Sequence, residues 1–88
     1  MDFRWTEWNA EHVARHGVEP EAAEEAGLGA SRGFPRRIGD EKWLVWGADD
    51  TGRLLQVVFV LGEDGSVFIV HARPLTDAEK RRNRRRRR

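Results

Sequence analysis

The stretch KWLVWGADDTGRLLQVVFVLGEDGSVFIVHAR, residues 42–73, decides the fold. It contains three runs rich in Val, Leu, Ile, Phe and Trp, at 42–48, 53–61 and 66–73. Short apolar and β-branched runs bounded by turn residues read as strands. Asp50-Thr51-Gly52 and Glu63-Asp64-Gly65 separate them. These turn clusters join the runs as consecutive antiparallel hairpins. Residues 54–61 are apolar at nearly every position except Gln56, which predicts a central strand covered on both faces. Phe34 to Ile38 adds a shorter strand before the meander, and Pro35, which has no N–H to donate, confines it to an edge.

Working outward, Pro74 stops the sheet and Thr76-Asp77-Ala78-Glu79 forms a capping box. A helix therefore opens there and runs into the basic C-terminal segment. On the other side, Phe3 and Trp5 alternate with polar neighbours, which predicts a short edge strand within residues 2–6. Asn9 is a good N-cap and Gly17 a natural left-handed C′ residue, bracketing a helix over 10–16. Val13 and Val18 then stand where a Schellman ending packs its apolar pair. Pro20 suits the first position of a second helix, with Glu21 in its first turn and Gly27 ending it. Leu28 to Gly33 reads as a glycine-rich loop. The order β-α-α-β-β-β-β-α is that of an α+β domain, with two N-terminal helices and a C-terminal helix on a three- to five-stranded antiparallel sheet.

A chain of 88 residues makes one small domain and buries about 60–65% of its unfolded surface. With no cysteine, disulfides, thiolate metal sites and cysteine nucleophiles are excluded. No apolar run approaches the roughly 18–20 residues of a membrane span. The N-terminus lacks an apolar signal region, so a cytoplasmic location is the expectation. The net charge of +1 hides an asymmetry: residues 1–79 hold all fifteen acids and eight basic groups, a balance of −7, and residues 80–88 add +8. The chain thus divides into a body, 1–79, and an arginine-rich end, 80–88. Such an end suits an anionic partner, RNA or DNA first, or else folds back on the acidic body.

Several residues could carry chemistry. His16 falls at the C-terminal end of the first helix, where the dipole favours a cation. There it either donates to a phosphate or leaving oxygen or bonds the helix's own last carbonyls. His12 and His16 share a helix face, but the pair has no following glutamate and no evident third ligand, so no metal site is expected. Arg53 and Arg73 stand beside a turn and at a strand end, placed to clamp a phosphate bidentately or to pair with nearby acids. By the two-residue period His71 shares a face with Arg73, Ile69 and Val67. The four tryptophans read first as core or partner interface, with base stacking as the other use of an exposed indole. Glu79 reads first as the N3 member of its capping box. Neither a hydrolase triad nor a phosphate-cradling loop is present, and no cofactor is expected.

The chain also resembles a known family. Phe3-Arg4-Trp5 with Asn9, Arg15-His16-Gly17-Val18, the acidic segment Glu21 to Glu25, Gly52-Arg53-Leu54-Leu55, and Ala72-Arg73 with Thr76-Asp77-Ala78-Glu79-Lys80-Arg81 follow one another in order and spacing. They resemble the BrnT-type toxins of bacterial type II toxin–antitoxin modules, which have a RelE-like ribonuclease fold. Asn83 stands where that family commonly has tyrosine, and His71 where it has serine or threonine. The resemblance implies a metal-independent ribonuclease that inhibits translation. It implies that His16, Arg53 and Arg73 are catalytic, and His71, on the face of Arg73, joins them as a further acid or base; Arg15, Lys80, Arg81, Arg84 and Arg85 are the expected RNA contacts. It also implies an antitoxin partner with a DNA-binding domain, through which larger oligomers assemble. The alternative is a non-catalytic RNA- or partner-binding protein that keeps the fold.

Overall fold

In the computed structural model, which describes residues 2–86 and the side chains of 2–85, the three apolar runs are β3 (Lys42–Ala48), β4 (Leu54–Leu61) and β5 (Val67–Pro74). They pair as consecutive antiparallel neighbours. The two turns between them are closed by aspartates. Asp49 accepts from Thr51 N, Thr51 Oγ1 and Arg53 N at 3.0, 2.7 and 2.9 Å. Asp64 accepts from Ser66 N at 2.9 Å. Gly52 and Gly65 supply the left-handed residue of each turn, with φ of 89° and 82°. A strand at Arg36–Gly39, β2, lies at the edge beside β3 and is exposed along its length.

The remaining strand departs from expectation. β1 (Phe3–Arg4) joins β5 in parallel, with Phe3 opposite Val67 and Arg4 opposite Phe68. The five-stranded sheet, in the order β1-β5-β4-β3-β2, is therefore mixed and not wholly antiparallel. Alternation along a two-residue strand reveals a face but not a direction, and β1 meets its partner only after some sixty intervening residues.

Two helices cover one face. The first, α1, spans Glu7–Ala14, three residues earlier than the expected 10–16, because Thr6 and not Asn9 is its N-cap. Asn9 instead closes the box from position N3, accepting from Thr6 N at 2.6 Å. Its amide donates to Arg4 O and Ile69 O at 3.1 and 3.0 Å, fastening α1 along β5. The helix ends in the expected Schellman motif. Val18 N bonds Val13 O and Gly17 N bonds Ala14 O, at 3.2 and 2.9 Å, with Gly17 at φ 72°. Both valines are buried in the core. The second helix, α2 (Pro20–Leu28), starts on its proline as expected but runs through Gly27 to a cap at Gly29. It crosses β3 at Gly47, where a β-carbon would collide with Ala26 O.

The core lies between these helices and one sheet face: Val13, Val18, Ala23 and Ala26 from the helices, and Val45, Leu55, Val57, Val67, Ile69 and Ala72 from the strands. β4 is central, as its apolar run predicts. Cover on its two faces is uneven, however: Leu55 and Val57 are buried against the helices, and opposite them Val58 is buried while Leu54, Gln56 and Val60 remain half-buried. The last helix, α3 (Asp77–Arg86), opens on the expected capping box. Glu79 N donates to Thr76 Oγ1 at 3.2 Å, and Thr76 N donates to the Glu79 carboxylate at 2.8 Å. None of the helices is long and apolar enough to cross a membrane among the described residues.

Candidate functional site

A β-bulge builds the site. Val58 pairs with His71 but Phe59 pairs with Ile69, so Val70 is an extra residue in β5. One added residue reverses which side chains face the core. Val67, Ile69 and Ala72 therefore point at the helices and are buried, while Phe68, His71 and Arg73 point the other way. The expectation that His71 shares a face with Arg73 holds. That it also shares one with Ile69 and Val67 is overturned, because a strict two-residue period does not survive a bulge.

The register lays the open face out as three rows across β3, β4 and β5: Trp46–Gln56–Arg73, Leu44–Val58–His71, and Lys42–Val60–Phe68. Hairpin connectivity thus gathers residues scattered over thirty positions onto one surface. Alongside β5, the end of α1 brings up His16, whose ring meets that of His71 edge-on with centroids 5.4 Å apart. Arg53 arrives from the turn before β4 and donates through NH1 to Gly17 O, the neighbour of His16, at 3.1 Å. His16, His71 and Arg73 are thus brought together at one end of the open face, whereas Arg53 lies on the helix side of β4, against Gly17 O and Asp49 at the margin of the acidic depression beside α2.

Each arginine already carries a carboxylate. Arg73 makes a two-pronged pair with Glu79, at 2.7 and 2.9 Å, and also reaches Pro74 O and Gln56 Oε1 at 3.0 and 3.3 Å. The guanidinium, with backbone donation from Thr76, holds the Glu79 carboxyl down at about 2. Arg53 Nε lies 3.4 Å from Asp49, whose carboxyl is held low first by the Thr51 hydroxyl and then by backbone N–H donors and Arg53. His71 is pulled below the ordinary histidine range, chiefly by burial and next by the positive charge of His16, Arg73 and His12. Its neutral imidazole form, which can accept a proton, is thereby favoured.

The basic end continues α3 over the Trp46 row. The Arg82 guanidinium sits 5.5 Å above the Trp46 ring, a cation–π contact, and Trp46 Nε1 donates to Gln56 at 3.1 Å. Lys80, Arg81, Arg84 and Arg85 form no salt bridge with the body among the described residues, and Arg87 and Arg88 lie outside those residues. Arg15 is exposed at the end of α1, directly before His16. No three His, Asp or Glu side chains among the described residues stand close enough to share a metal ion.

Three participants escape motif reading. Gln56 bridges Trp46 and Arg73, and its one signal is being the polar exception in an apolar strand. Glu79 serves both as cap and as partner of Arg73, a double duty that only the tertiary turn at Pro74 reveals. Phe68 faces outward solely because of the bulge.

No protein-family model and no curated protein matches the sequence. Among solved structures, the chain is similar to the crystal structure of the ribonuclease toxin BrnT of Brucella abortus. The two are 16% identical, with 88% of this chain and 99% of that chain covered at a TM-score of 0.70. The chain accordingly has the fold of the BrnT toxin, the α+β architecture that its own sequence resemblance implied.

Proposed function

We propose that this protein is the toxin of a type II toxin–antitoxin module, a metal-independent ribonuclease that arrests translation in the cytoplasm. The observation that carries the reading is the His16–His71 ring pair beside Arg73 on the open face of the sheet, with Arg53 bonded to Gly17 O next to His16. In the proposed reaction, neutral His71 takes the proton from an RNA 2′-hydroxyl, whose oxygen attacks the adjoining phosphorus. The phosphorus–5′-oxygen bond breaks, and His16 donates a proton to the leaving 5′-oxygen, giving a 2′,3′-cyclic phosphate and a 5′-hydroxyl. The two guanidiniums offset the charge that develops on the phosphoryl oxygens, Arg73 after exchanging Glu79 for phosphate. The body 1–79 supplies this chemistry. The arginine-rich end 80–88, with Arg15, Lys80, Arg81, Arg84 and Arg85, holds RNA. A cognate antitoxin with a DNA-binding domain restrains the toxin and links copies into larger assemblies.

Purified protein should cleave RNA in the presence of a chelator. His16→Ala and His71→Ala should each lower the rate by about 10²–10⁴, the usual contribution of a positioned proton-transfer group. The double change Arg53→Ala with Arg73→Ala should abolish growth inhibition on expression without antitoxin. One observation favours a second reading, a binding protein without catalysis: both candidate phosphate clamps already hold carboxylates, Glu79 and Asp49. Tight RNA binding by wild-type protein with no cleavage under any of these conditions would decide for it.

A further inference from the structure

Trp8 is 57% exposed, whereas Trp46 is buried and Trp5 and Trp43 are half-buried. An indole left this open in a small domain that needs large apolar side chains for its core forgoes burial worth having. Nor does it stand alone. Its ring lies nearly parallel to those of His12 and Phe68, at interplanar angles of 15° and 12° and centroid distances of 5.0 and 6.2 Å. The three rings form one aromatic array along the seam between α1 and β5.

The array is continuous with the candidate site on both sides. His12 stands one helical turn before His16, a rise of about 6 Å, and Phe68 occupies the same face of β5 as His71, two residues beyond the bulge. In the row of Phe68, Lys42 lies two strands away, about 10 Å across the sheet. It has no carboxylate partner among the described residues. A flat aromatic surface next to proton-transfer groups, with a free cation across the strands, has the composition of a single-strand binding groove, in which bases stack and cations follow the backbone.

We infer that Trp8, supported by Phe68 and His12, is a nucleobase-stacking subsite that seats a base of single-stranded RNA next to the phosphate handled by His16 and His71. The inference rests on the proposed ribonuclease reading for the direction the strand takes, and its test is independent of cleavage. Stacking uses the π-face that every base has, so the subsite tolerates sequence while fixing the strand's register on the histidines.

The test uses full-length protein and a short single-stranded RNA with 2′-O-methyl groups throughout, which cannot be cleaved by attack of the 2′-oxygen. Trp8→Ala should weaken binding roughly 5- to 100-fold, the range for loss of one base–aromatic stack, while Trp8→Phe retains most of the affinity. The dependence of log affinity on log salt should keep its slope in Trp8→Ala, because no phosphate contact is lost. On an oligonucleotide made abasic throughout, wild type and Trp8→Ala should bind alike. Equal affinity of wild type and Trp8→Ala for the normal oligonucleotide would overturn the subsite, as would an equal deficit on the abasic one. Absence of cleavage by wild type, with the Trp8→Ala binding loss intact, would overturn the ribonuclease reading and leave the stacking subsite standing.

Discussion

Asn83 is fully buried on α3, one turn after Glu79, and neither its amide nitrogen nor its oxygen has a hydrogen-bond partner among the described residues. An unpartnered buried amide costs about 1–3 kcal/mol. Leucine has the same branching at Cγ without the polar atoms, so Asn83→Leu should stabilise the protein by about 1 kcal/mol. In a domain this size that raises Tm by about 4–8 °C. Calorimetry showing a lower Tm would mean that the amide is satisfied after all. His71 makes a prediction about acid. Its folded form resists protonation, so between its lowered value and the ordinary 6.5 the unfolded chain binds more protons. Stability contributed by His71 is thus present above pH 6.5 and lost as pH falls below it. An NMR titration should place His71 below ordinary histidine, and His16→Ala should move it back up by removing a neighbouring positive charge. An unchanged His71 titration in that variant would show that the 5.4 Å ring contact carries no electrostatic coupling.

At the scale of elements, α3 is fastened to the sheet by polar contacts more than by apolar burial: the Glu79–Arg73 pair, the Arg82–Trp46 contact and the capping box. The Glu79 carboxyl, held at about 2 against an ordinary 4.5, favours the folded state by about 3 kcal/mol. That contribution is complete above pH 4.5 and disappears as pH drops toward 2. Glu79→Gln should therefore cost about 2–3 kcal/mol at pH 7 by urea unfolding and flatten the acid limb of the stability curve. An acid limb of unchanged steepness would place the lost contribution elsewhere. The same element shows what sequence could and could not convey. The capping box, the Schellman valines, the proline start of α2 and the three central strands follow from side chains acting on their own backbone, and all were legible. The bulge at Val70, the parallel joining of β1 and the hold of Glu79 on Arg73 depend on residues that meet only after the chain has folded. The candidate site depends on them too: its histidines and arginines were recognisable one by one, but a one-residue slip in β5 decides which of them share a face.

Across the whole molecule, charge is separated in space as it is in sequence. Glu19, Glu21, Glu25 and Asp49 line a depression beside α2, with Arg53 at its margin, while the cations of α3 extend from the Trp46 row of the open face. An incoming polyanion is therefore repelled from the α2 side and drawn to the end of the sheet where α3 and the histidines lie. Two roles for the basic end give different outcomes on deletion of residues 84–88. Were these arginines partners of the acidic body, their loss would lower Tm and leave RNA affinity alone. Arg84 and Arg85, however, form no ion pair with the body among the described residues. Within α3 the spacings Lys80–Arg84 and Arg81–Arg85 set like charges one turn apart, a repulsion of about 0.2–0.5 kcal/mol each. Truncation should accordingly leave Tm unchanged or slightly raised. RNA affinity, measured from low to moderate salt, should fall most at low salt, and the log–log slope should shrink by about 0.7 for each phosphate contact removed from a single strand. A truncated protein with the full salt slope and a lowered Tm would assign the arginines to the body. A reduced slope with Tm preserved would assign them to the nucleic acid, as their lack of acidic partners favours.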